Sequence, residues 1–339
     1  MDYLNSLTTT LWNPQTKFTI LVSLIRILGF LKLLELLYRV WWTIRRNLRS
    51  TAALTARYGK GSWAVVTGGS DGIGLAMAKV LARREFNIVI VSRNPAKMAD
   101  AANEIKAVNP KIEVRTVEFD FTKTQNSHSV AEYQSGIIDK IASLDISLLI
   151  NNAGYLVPGD FDRIPLEEHK HMIDVGIMPA TMITKLLTDK MLARGKRTGT
   201  MFVSSVQAQA PIAGTATYGA SKVYMDFLAK ALAHEHRAQM DVMSYQCGLV
   251  ATKFIGIDPK RANRGSTLYQ KLFCITPEQA AERALADLPH EFLSHGHFKH
   301  DVYALFIRTM ALTWFLAPSF NKAASQKANN ALAKLQKNK

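Results

Sequence analysis

A tyrosine and a lysine four residues apart, Tyr218 and Lys222, have the types and the spacing that acid–base chemistry requires. On a helix, residues at i and i+4 lie on the same face, one turn apart, so the lysine ammonium lies beside the tyrosine phenol. A neighbouring positive charge favours the phenolate, and we therefore expect it to lower a tyrosine pKa that starts near ~10. A phenol tuned in this way exchanges a proton near neutral pH, which typically contributes a rate factor of about 10² to 10⁴.

Two further polar sites precede this pair. Ser205 follows a predicted buried strand at residues 200–203 and lies thirteen residues before Tyr218. Its hydroxyl suits it to donate a hydrogen bond to a substrate oxygen on which negative charge develops. The motif Asn-Asn-Ala-Gly at residues 151–154 follows another short apolar run. The alternative is that Tyr218 and Lys222 are ordinary residues on a helix surface.

A glycine-rich turn lies between a predicted strand and a predicted helix near residue 70. Residues 62–66 form a β-branched and aromatic run, and Thr-Gly-Gly-Ser-Asp-Gly-Ile-Gly follows at residues 67–74. Gly68 and Gly72 let the backbone turn tightly and approach a pyrophosphate, while Gly74 permits close packing of helix on strand. The free N–H groups at the helix start attract an anion. Because such turns also occur without a ligand, the elements that follow must decide the interpretation.

The segments after this turn alternate between strands and helices. We predict strands at residues 87–91 and 112–119, a helix at residues 95–107 and the core of a fourth strand at residues 148–150. Alternation of this kind predicts an α/β fold with a single Rossmann-like, doubly wound parallel sheet of about seven strands.

Together these motifs resemble the short-chain dehydrogenase/reductase family, whose marks are T-G-x-x-x-G-x-G, N-N-A-G, a serine thirteen residues before a tyrosine, and Y-x-x-x-K. The resemblance covers roughly residues 61–301. It implies that Tyr218 is the catalytic acid, that Lys222 activates it and that Ser205 holds the substrate carbonyl. It also implies a nicotinamide nucleotide that delivers hydride. The residues expected to bind this cofactor are Gly68, Ser70, Asp71, Gly72, Ile73, Gly74, Arg93, Asp120, Asn152, Ala153, Gly154, Tyr218, Lys222, Val250 and Thr252.

The end of the second predicted strand bears on the choice of nucleotide. Binding of NAD usually places a carboxylate there, but residues 92–94 are Ser-Arg-Asn. The guanidinium of Arg93 suits a charge-assisted contact with the 2′-phosphate of NADPH, with Lys97 as a second cation. The alternatives are a solvated Arg93 and a Lys97 that belongs only to a helix surface. Asp120, after the third strand, is placed to contact the adenine or serves as a turn residue.

Two positions depart from the family pattern. Gly176 stands where many members carry an asparagine that helps to hold a proton-relay water, and it has no side chain for that role. The segment at residues 246–252 lacks the usual proline-glycine pair and keeps only the glycine and Thr252. If these changes abolish turnover, the chain is a catalytically weak membrane scaffold that retains NADP.

Charge and composition narrow the classes of function. The 339 residues carry 42 Lys+Arg against 27 Asp+Glu, a net charge of +15, and 48% of them are hydrophobic, which excludes a disordered chain. The basic residues are scattered rather than gathered in a run interleaved with aromatics, so nucleic acid is not an expected partner. The two cysteines, Cys247 and Cys274, are too few for a disulfide framework and predict a reduced catalytic part that faces the cytosol.

The N-terminal segment is expected to attach the protein to a membrane. Residues 18–42 are mostly apolar and, at ~1.5 Å per residue, long enough to cross about 30 Å of hydrocarbon. Lys32, Glu35 and Arg39 share one helix face, so the segment either spans with this stripe near its end or lies in the interface. The alternative is an amphipathic helix that packs on a partner. The flanking residues expected to anchor the segment are Trp12, Phe18, Tyr38, Trp41, Trp42, Arg45, Arg46 and Arg49.

The C-terminal part begins with Thr276, the expected cap of a helix. After it we predict a last strand at residues 298–303 and an apolar stretch at residues 304–318. About fifteen residues are short for a membrane span, so this stretch lies on the membrane, roofs a lipid-binding cleft or packs inside the domain. No metal site is predicted, because cysteine or carboxylate partners at ligand spacing do not accompany the histidines of this region, which are His290, His295, His297 and His300.

The expected organisation has three parts: a membrane-anchoring segment at residues 1–50, an NADP-binding domain at residues 51–303, and an apolar helix with a basic tail at residues 304–339. A membrane segment directly before such a domain resembles the very-long-chain 3-oxoacyl-CoA reductase and hydroxysteroid dehydrogenase branch of the family. That resemblance implies NADPH-dependent reduction of a 3-oxoacyl-CoA in fatty-acid elongation at the endoplasmic reticulum membrane, with the catalytic domain facing the cytosol. A polyanionic coenzyme A suits a basic chain.

Two other functions stay open at this level. One is a hydroxysteroid or retinoid dehydrogenase at the same membrane, and the other is the NADP-binding scaffold named above. The resemblance also implies a homodimer and the other fatty-acid elongation enzymes as protein partners.

Overall fold

The computed structural model describes residues 13–123, 129–258, 268–313 and 315–337, apart from the side chain of Arg39. Trp12 and Lys339 therefore lie outside the described residues, as does the predicted contribution of Arg39 to the charged stripe. The chain divides into two compact units, one that ends at Leu48 and one that begins at Arg49.

The first unit contains one long helix, α1 (Pro14–Asn47). Asn13 caps its first turn by accepting a hydrogen bond from the Gln15 N–H at 2.9 Å. Large apolar side chains are exposed on this helix, among them Phe18, Leu28 and Ile44, each more than half exposed. The Lys32 ammonium lies 2.7 Å from the Glu35 carboxylate, so these two residues of the charged stripe share a face and form an ion pair.

The length and the hydropathy of the described helices decide whether any of them could cross a membrane. No single described helix is both long and apolar enough to cross a bilayer, although one bent pair, Phe298–Leu312 with Ala317–Lys337, meets the length and composition criteria jointly across an angle of 109°.

The second unit is built on a seven-stranded sheet, in the order β3-β2-β1-β4-β5-β6-β7, with every described pair of strands parallel. This arrangement confirms the predicted doubly wound sheet. The strands are β1 (Trp63–Thr67), β2 (Asn87–Ser92), β3 (Val114–Glu118), β4 (Ile146–Asn151), β5 (Thr198–Ser205), β6 (Met240–Cys247) and β7 (Leu293–Ser294).

Helices connect and cover the strands. The predicted helix at residues 95–107 is confirmed as Pro95–Val108, which Asn94 caps by accepting from the Lys97 N–H at 3.0 Å. The helices after α1 are α2 (Leu54–Tyr58), α3 (Gly72–Arg83), α4 (Pro95–Val108), α5 (Val130–Tyr133), α6 (Leu166–Gly176), α7 (Met178–Leu192), α8 (Ala216–Glu235), α9 (Leu268–Phe273), α10 (Pro277–Asp287), α11 (Phe298–Leu312) and α12 (Ala317–Lys337).

The sheet buries both of its faces, as a parallel sheet must when crossover helices cover it. Val66 of β1 packs in one apolar cluster with Met77 of α3. The neighbouring Val65 belongs to the opposite cluster, together with Ile183 of α7. The strand order reverses between β1 and β4, so the connections that follow these two strands run in opposite directions and leave a crevice at the carboxyl ends, where ligands of such sheets bind.

The predicted last strand at residues 298–303 is wrong. These residues begin helix α11, and the last strand is the short β7, which pairs with Ser244 and Tyr245 of β6. His297 caps α11 by accepting from the Lys299 N–H at 3.1 Å, and the buried side chains then recur at helical spacing. Because α11 runs from Phe298 to Leu312, the expected domain boundary between residues 303 and 304 falls inside a helix.

The predicted helix start at Thr276 is confirmed. The Thr276 hydroxyl accepts from the Gln279 N–H at 3.2 Å, and the Gln279 side chain accepts in return from the Thr276 N–H at 3.0 Å. This reciprocal pair satisfies two N–H groups that the first turn of α10 leaves without backbone partners.

Candidate active site

The glycine turn after β1 is shaped by space as well as by backbone conformation. Gly68 and Gly72 adopt φ values of 63° and 57°, which favour glycine. A Cβ atom on Gly74 would lie 2.4 Å from the Gly68 carbonyl oxygen and 2.5 Å from Asn152 Nδ2. Asp71 caps α3 by accepting from the Gly72 N–H at 2.8 Å. The first turn of α3 therefore lies directly against the end of β1, with its N-terminus open to the crevice.

The N-N-A-G motif joins β4 to β1. Asn152 Nδ2 donates to the carbonyl oxygens of Thr67 and Gly68 at 3.0 and 3.1 Å. The Thr67 hydroxyl accepts from the N–H groups of Asn152 and Ala153 at 2.9 and 3.0 Å. These bonds hold Ala153 and Gly154 beside the glycine turn.

One cleft of about 500 Å³ lies at the carboxyl ends of the central strands, and most of the predicted site residues meet there. Gly74 and Asp120 are the two predicted residues that do not line it. Those that do are Gly68, Ser70, Asp71, Gly72, Ile73, Arg93, Asn152, Ala153, Gly154, Ser205, Tyr218, Lys222, Val250 and Thr252.

Asp120 is engaged in a local turn. Its carboxylate accepts from the N–H and the hydroxyl of Thr122 at 3.0 and 2.8 Å. Burial acts to raise the pKa of Asp120, but the two Thr122 hydrogen bonds together with the charges of Arg93 and Lys123 hold the pKa below its usual value. The geometry favours the turn role over the predicted adenine contact.

Two cations lie at the nucleotide end of the cleft. Arg93 follows β2, Lys97 lies in the first turn of α4, and both line the cleft wall. The Ser92 and Ser70 hydroxyl groups are 2.9 Å apart, which ties the end of β2 to the glycine turn.

Ser205, Tyr218 and Lys222 are all buried at the other end of the cleft. The Lys222 ammonium lies 5.5 Å from the centre of the Tyr218 ring and donates to the Val203 carbonyl oxygen at 2.9 Å. The Ser205 hydroxyl accepts from the Gln207 N–H at 3.2 Å. The end of β5 and the first turns of α8 thus bring the three side chains to one place.

The expectation that Lys222 lowers the pKa of Tyr218 is wrong. The protein's own groups raise this pKa. Burial raises the pKa of Tyr218 well above its usual value, the nearby Cys247 thiol adds to the rise, and a hydrogen bond with Ser205 offsets only part of it. Burial also lowers the pKa of Lys222 to about 8. Desolvation disfavours the charged form of both groups, and at this distance it outweighs their mutual attraction.

Gly176 ends α6 where this helix crosses α8. A Cβ atom at Gly176 would lie 2.9 Å from the Ser221 hydroxyl oxygen, which itself donates to the Tyr218 carbonyl oxygen at 2.7 Å. The nearby Asp174 is buried and bonds to Lys170 at 2.6 Å. A side chain at position 176 therefore requires Ser221 to move, and the glycine supplies no group for the water-holding role expected of an asparagine.

Several cleft residues were not predicted from the sequence. Cys247 is half-buried and lines the cleft with Tyr218 and Lys222, and desolvation raises the pKa of its thiol to about 11. One sequence signal could have indicated Cys247, because it lies within residues 246–252, the segment that departs from the family pattern. Phe254 carried no such signal, and Tyr303 was hidden by its assignment to a strand. The unpredicted lining residues are Leu156, Val203, Ser204, Val206, Gln207, Cys247, Gly248, Leu249, Lys253, Phe254, Ile255 and Tyr303.

The C-terminal histidines have structural partners. His300 is fully buried, accepts from the Gly248 N–H at 3.1 Å and lies 3.0 Å from the Leu249 carbonyl oxygen. Burial lowers the pKa of His300 to about 4. His295 lies 2.9 Å from the Asp301 carboxylate. No group of three metal-ligating side chains occurs in the part of the chain that the structure describes.

Comparison with known proteins gives a consistent result. The short chain dehydrogenase family model matches residues 62–260. A very-long-chain 3-oxoacyl-CoA reductase of Macaca fascicularis is 31% identical over 288 residues, covering 83% of this chain and 85% of the relative. A protein of the same name from Coccidioides immitis is 38% identical over 178 residues, and the match spans about half the length of each, 52% and 49%.

The fold has close counterparts among solved structures. A 7beta-hydroxysteroid dehydrogenase structure superposes with a TM-score of 0.64 at 21% identity, covering 79% of this chain and 98% of the other. The parallel sheet, the glycine turn and the cleft at the strand ends define a dinucleotide-binding protein of the Rossmann class. The chain belongs to the short-chain dehydrogenase family, in the branch of the very-long-chain 3-oxoacyl-CoA reductases and hydroxysteroid dehydrogenases, and it is an oxidoreductase.

Proposed function

We propose that the protein reduces a 3-oxoacyl-CoA to the 3-hydroxyacyl-CoA with NADPH, and that Tyr218 is the proton donor. The observation that carries this proposal is the burial of Ser205, Tyr218 and Lys222 in the cleft that the glycine turn also lines. In this reaction the ketone carbon gains a hydride from NADPH, which becomes NADP⁺, and the ketone oxygen gains a proton from Tyr218.

The protein residues divide the work of this reaction. NADPH supplies the hydride when it is bound, and the chain positions the ketone. Ser205 donates a hydrogen bond to the ketone oxygen, where negative charge grows. The phenol of Tyr218 is protonated at neutral pH, so this side chain has a proton to give to that oxygen. Lys222 lies on the same face of α8 and stabilises the resulting phenolate when it is charged.

NADPH is the proposed nucleotide because both side chains at the end of the cleft near β2 are cationic. Arg93 takes the place of the carboxylate that favours NAD, and Lys97 lines the same wall. Arg93→Asp is expected to shift the preference from NADPH towards NADH, measured as the ratio of kcat/KM for the two nucleotides. Arg237→Asp, an exposed site just before β6, serves as the control. An unaltered ratio in Arg93→Asp would show that Arg93 does not contact the phosphate.

The acyl-CoA class of substrate is supported by relatives whose names carry that activity and by the basic character of the chain. The end of the cleft near Tyr218 has an apolar and aromatic lining that suits an acyl chain, including Leu156, Phe254 and Tyr303.

The proposed location is the endoplasmic reticulum membrane, with the catalytic domain facing the cytosol. The support is helix α1, whose apolar side chains are exposed and whose last turn carries Arg45 and Arg46. In this proposal residues 1–50 form the anchor, and the catalytic domain begins at residue 51. The C-terminal apolar helix begins at Phe298 rather than at residue 304, because the expected boundary falls inside α11. Another copy of the chain and other fatty-acid elongation enzymes are the proposed protein partners.

One substrate panel tests the proposed function. The purified full chain in detergent micelles is supplied with NADPH and a long-chain 3-oxoacyl-CoA, a ketosteroid or retinal, and the loss of NADPH absorbance is followed. We expect the highest kcat/KM with the 3-oxoacyl-CoA. A higher kcat/KM with the steroid or with retinal would assign the protein to the other activity of its branch. Binding of NADPH without turnover of any carbonyl compound would indicate the scaffold function.

A further inference from the structure

The C-terminal helix α12 is attached by a polar cluster to the loop that follows the N-N-A-G motif. Asp160 lies in this loop, and its carboxylate accepts from Asn329 Nδ2 at 2.6 Å and from the Ser325 hydroxyl at 2.8 Å. Asn329 Oδ1 accepts in return from the Asp160 N–H at 2.9 Å. The hydrogen bonds from Asn329 and Ser325 hold the pKa of Asp160 below its usual range.

The same helix also bonds to the loop that precedes the tyrosine-bearing helix α8. Asn321 Oδ1 accepts from the Ala213 N–H at 2.9 Å. Next to it, Gly214 adopts a φ of +79°, and a Cβ atom there would lie 2.3 Å from the Ala328 Cβ. Helix α8 begins two residues later, at Ala216. Helix α12 therefore packs directly against the backbone that leads into Tyr218.

The two loops are joined to each other beneath α12. The Gly159 N–H donates to the Gly214 carbonyl oxygen at 2.9 Å. Leu332 of α12 is buried and packs closely on Gly159 at this junction. A Cβ atom on Gly159 would lie only 2.8 Å from the Leu332 Cδ2. Leu332 belongs to the same apolar cluster as Tyr218, Val157 and Met172.

We infer that α12 is a clasp that positions Tyr218, and that Asp160 and Asn329 are the positioning residues that hold the clasp closed. The inference rests on the proposed reduction by Tyr218. The clasp binds both loops that flank the phenol, while the glycine turn that receives the nucleotide lies on the other side of the cleft. Opening the clasp therefore misplaces the proton donor and leaves the nucleotide site unchanged.

Asn329→Ala tests the clasp, and the adjacent Asn330→Ala is a matched control because Asn330 is exposed on the outer side of α12. We expect Asn329→Ala to lower kcat about tenfold, because it removes both hydrogen bonds between Asn329 and Asp160, one of them to a charged carboxylate. The Kd for NADPH should stay unchanged. The kinetic isotope effect on kcat with 4-deuterated NADPH should rise, because reduction becomes slower relative to product release. That isotope effect does not depend on the folded fraction of the sample.

Exchanging the side chains of residues 160 and 329 should restore the activity that each single variant loses. In the double variant Asp160→Asn with Asn329→Asp, donor and acceptor change places, and kcat should recover most of what each single variant loses. Equal kcat and equal isotope effects in Asn329→Ala, Asn330→Ala and the parent chain would overturn the inference, and so would a rise in the NADPH Kd of Asn329→Ala with no change in kcat. If the parent chain itself reduces no 3-oxoacyl-CoA, the proposed function fails first, and this inference fails with it.

Discussion

Burial raises the pKa of Tyr218, so its phenol, which is protonated at neutral pH, holds its proton more tightly than an exposed tyrosine does. The same desolvation weakens the charge on Lys222, whose pKa falls to about 8. At the scale of single residues, burial alone makes Tyr218 a weaker acid, and the charge that Lys222 carries below a pH of about 8 favours release of the phenol proton. Two predictions follow from these two ionisation states.

Tyr218→Phe removes the hydroxyl and keeps the ring, so the apolar packing around it is preserved. We expect kcat to fall by about 10² to 10⁴, the usual contribution of a positioned acid. Affinity for NADPH, measured by fluorescence titration, should be retained. Tyr224→Phe is the control, since its hydroxyl bonds to Thr181 outside the cleft. Unchanged turnover in Tyr218→Phe would refute the role assigned to this residue.

Lys222 should leave a signature in the pH dependence of stability. Its pKa is lowered from 10.5 to about 8 in the folded protein, so between these values the unfolded chain binds the extra proton. The free energy of unfolding contributed by Lys222 therefore rises as the pH increases from about 8 to about 10.5, and below about 8 the buried charge is destabilising. Lys222→Met should be more stable than the parent near pH 7, with the difference shrinking towards pH ~10.5. Denaturant unfolding of both proteins across this range measures it, and a constant difference would contradict the assignment.

At the scale of elements, the crossing of α6 and α8 explains why residue 176 is glycine. The two helices approach so closely that Ser221 occupies the space of a side chain at this position. The Ser221 hydroxyl also donates to the Tyr218 carbonyl oxygen one turn earlier in α8, and this bond holds the hydroxyl in the space beside Gly176.

A double-mutant cycle tests this packing. Gly176→Ala should lower the free energy of unfolding by about 1 to 3 kcal/mol, because an inserted methyl group has no room. In a Ser221→Gly background the same change should become stabilising by up to ~1 kcal/mol, because only the higher helix propensity of alanine remains. Denaturant unfolding of the four proteins gives both values. An identical effect of Gly176→Ala in the two backgrounds would contradict the close contact.

At the scale of the whole molecule, the proposed anchor and the catalytic domain are separate units that can be changed separately. Helix α1 exposes apolar side chains along most of its length, which is unusual for a helix in water. The chain also carries a net charge of +15, which adds attraction to an anionic membrane surface.

Two lysines in α1 should therefore weaken membrane binding. In Leu28→Lys with Leu31→Lys, each new charge costs about 2.5 to 3.5 kcal/mol if the segment lies at the centre of a bilayer. We expect most of the variant to stay in the supernatant when phosphatidylcholine vesicles are pelleted, while the parent chain sediments with them. Lysines at Val130 and Leu166, two exposed apolar sites in the second unit, are the matched control. Equal sedimentation of all three proteins would contradict an anchoring role for α1.

The sequence alone determined the class of fold, because alternating apolar strands and helices can bury themselves only in a covered parallel sheet. The sequence also placed Ser205, Tyr218 and Lys222 near the ends of their elements, because these short motifs depend only on spacing between residues close together in the chain. It could not place the last strand, because an apolar run of five or six residues fits a strand and a buried helix equally well.

Tertiary structure decided the properties that depend on residues far apart in the chain. The pKa of Tyr218 follows from how deeply neighbouring elements bury it, and burial reversed the shift that its spacing from Lys222 predicted. The contacts of α12 with Asp160 and Gly214 join segments more than a hundred residues apart, and no local sequence pattern predicts such contacts. Local spacing thus selects the chemical groups, while long-range packing sets their ionisation and their exact neighbours.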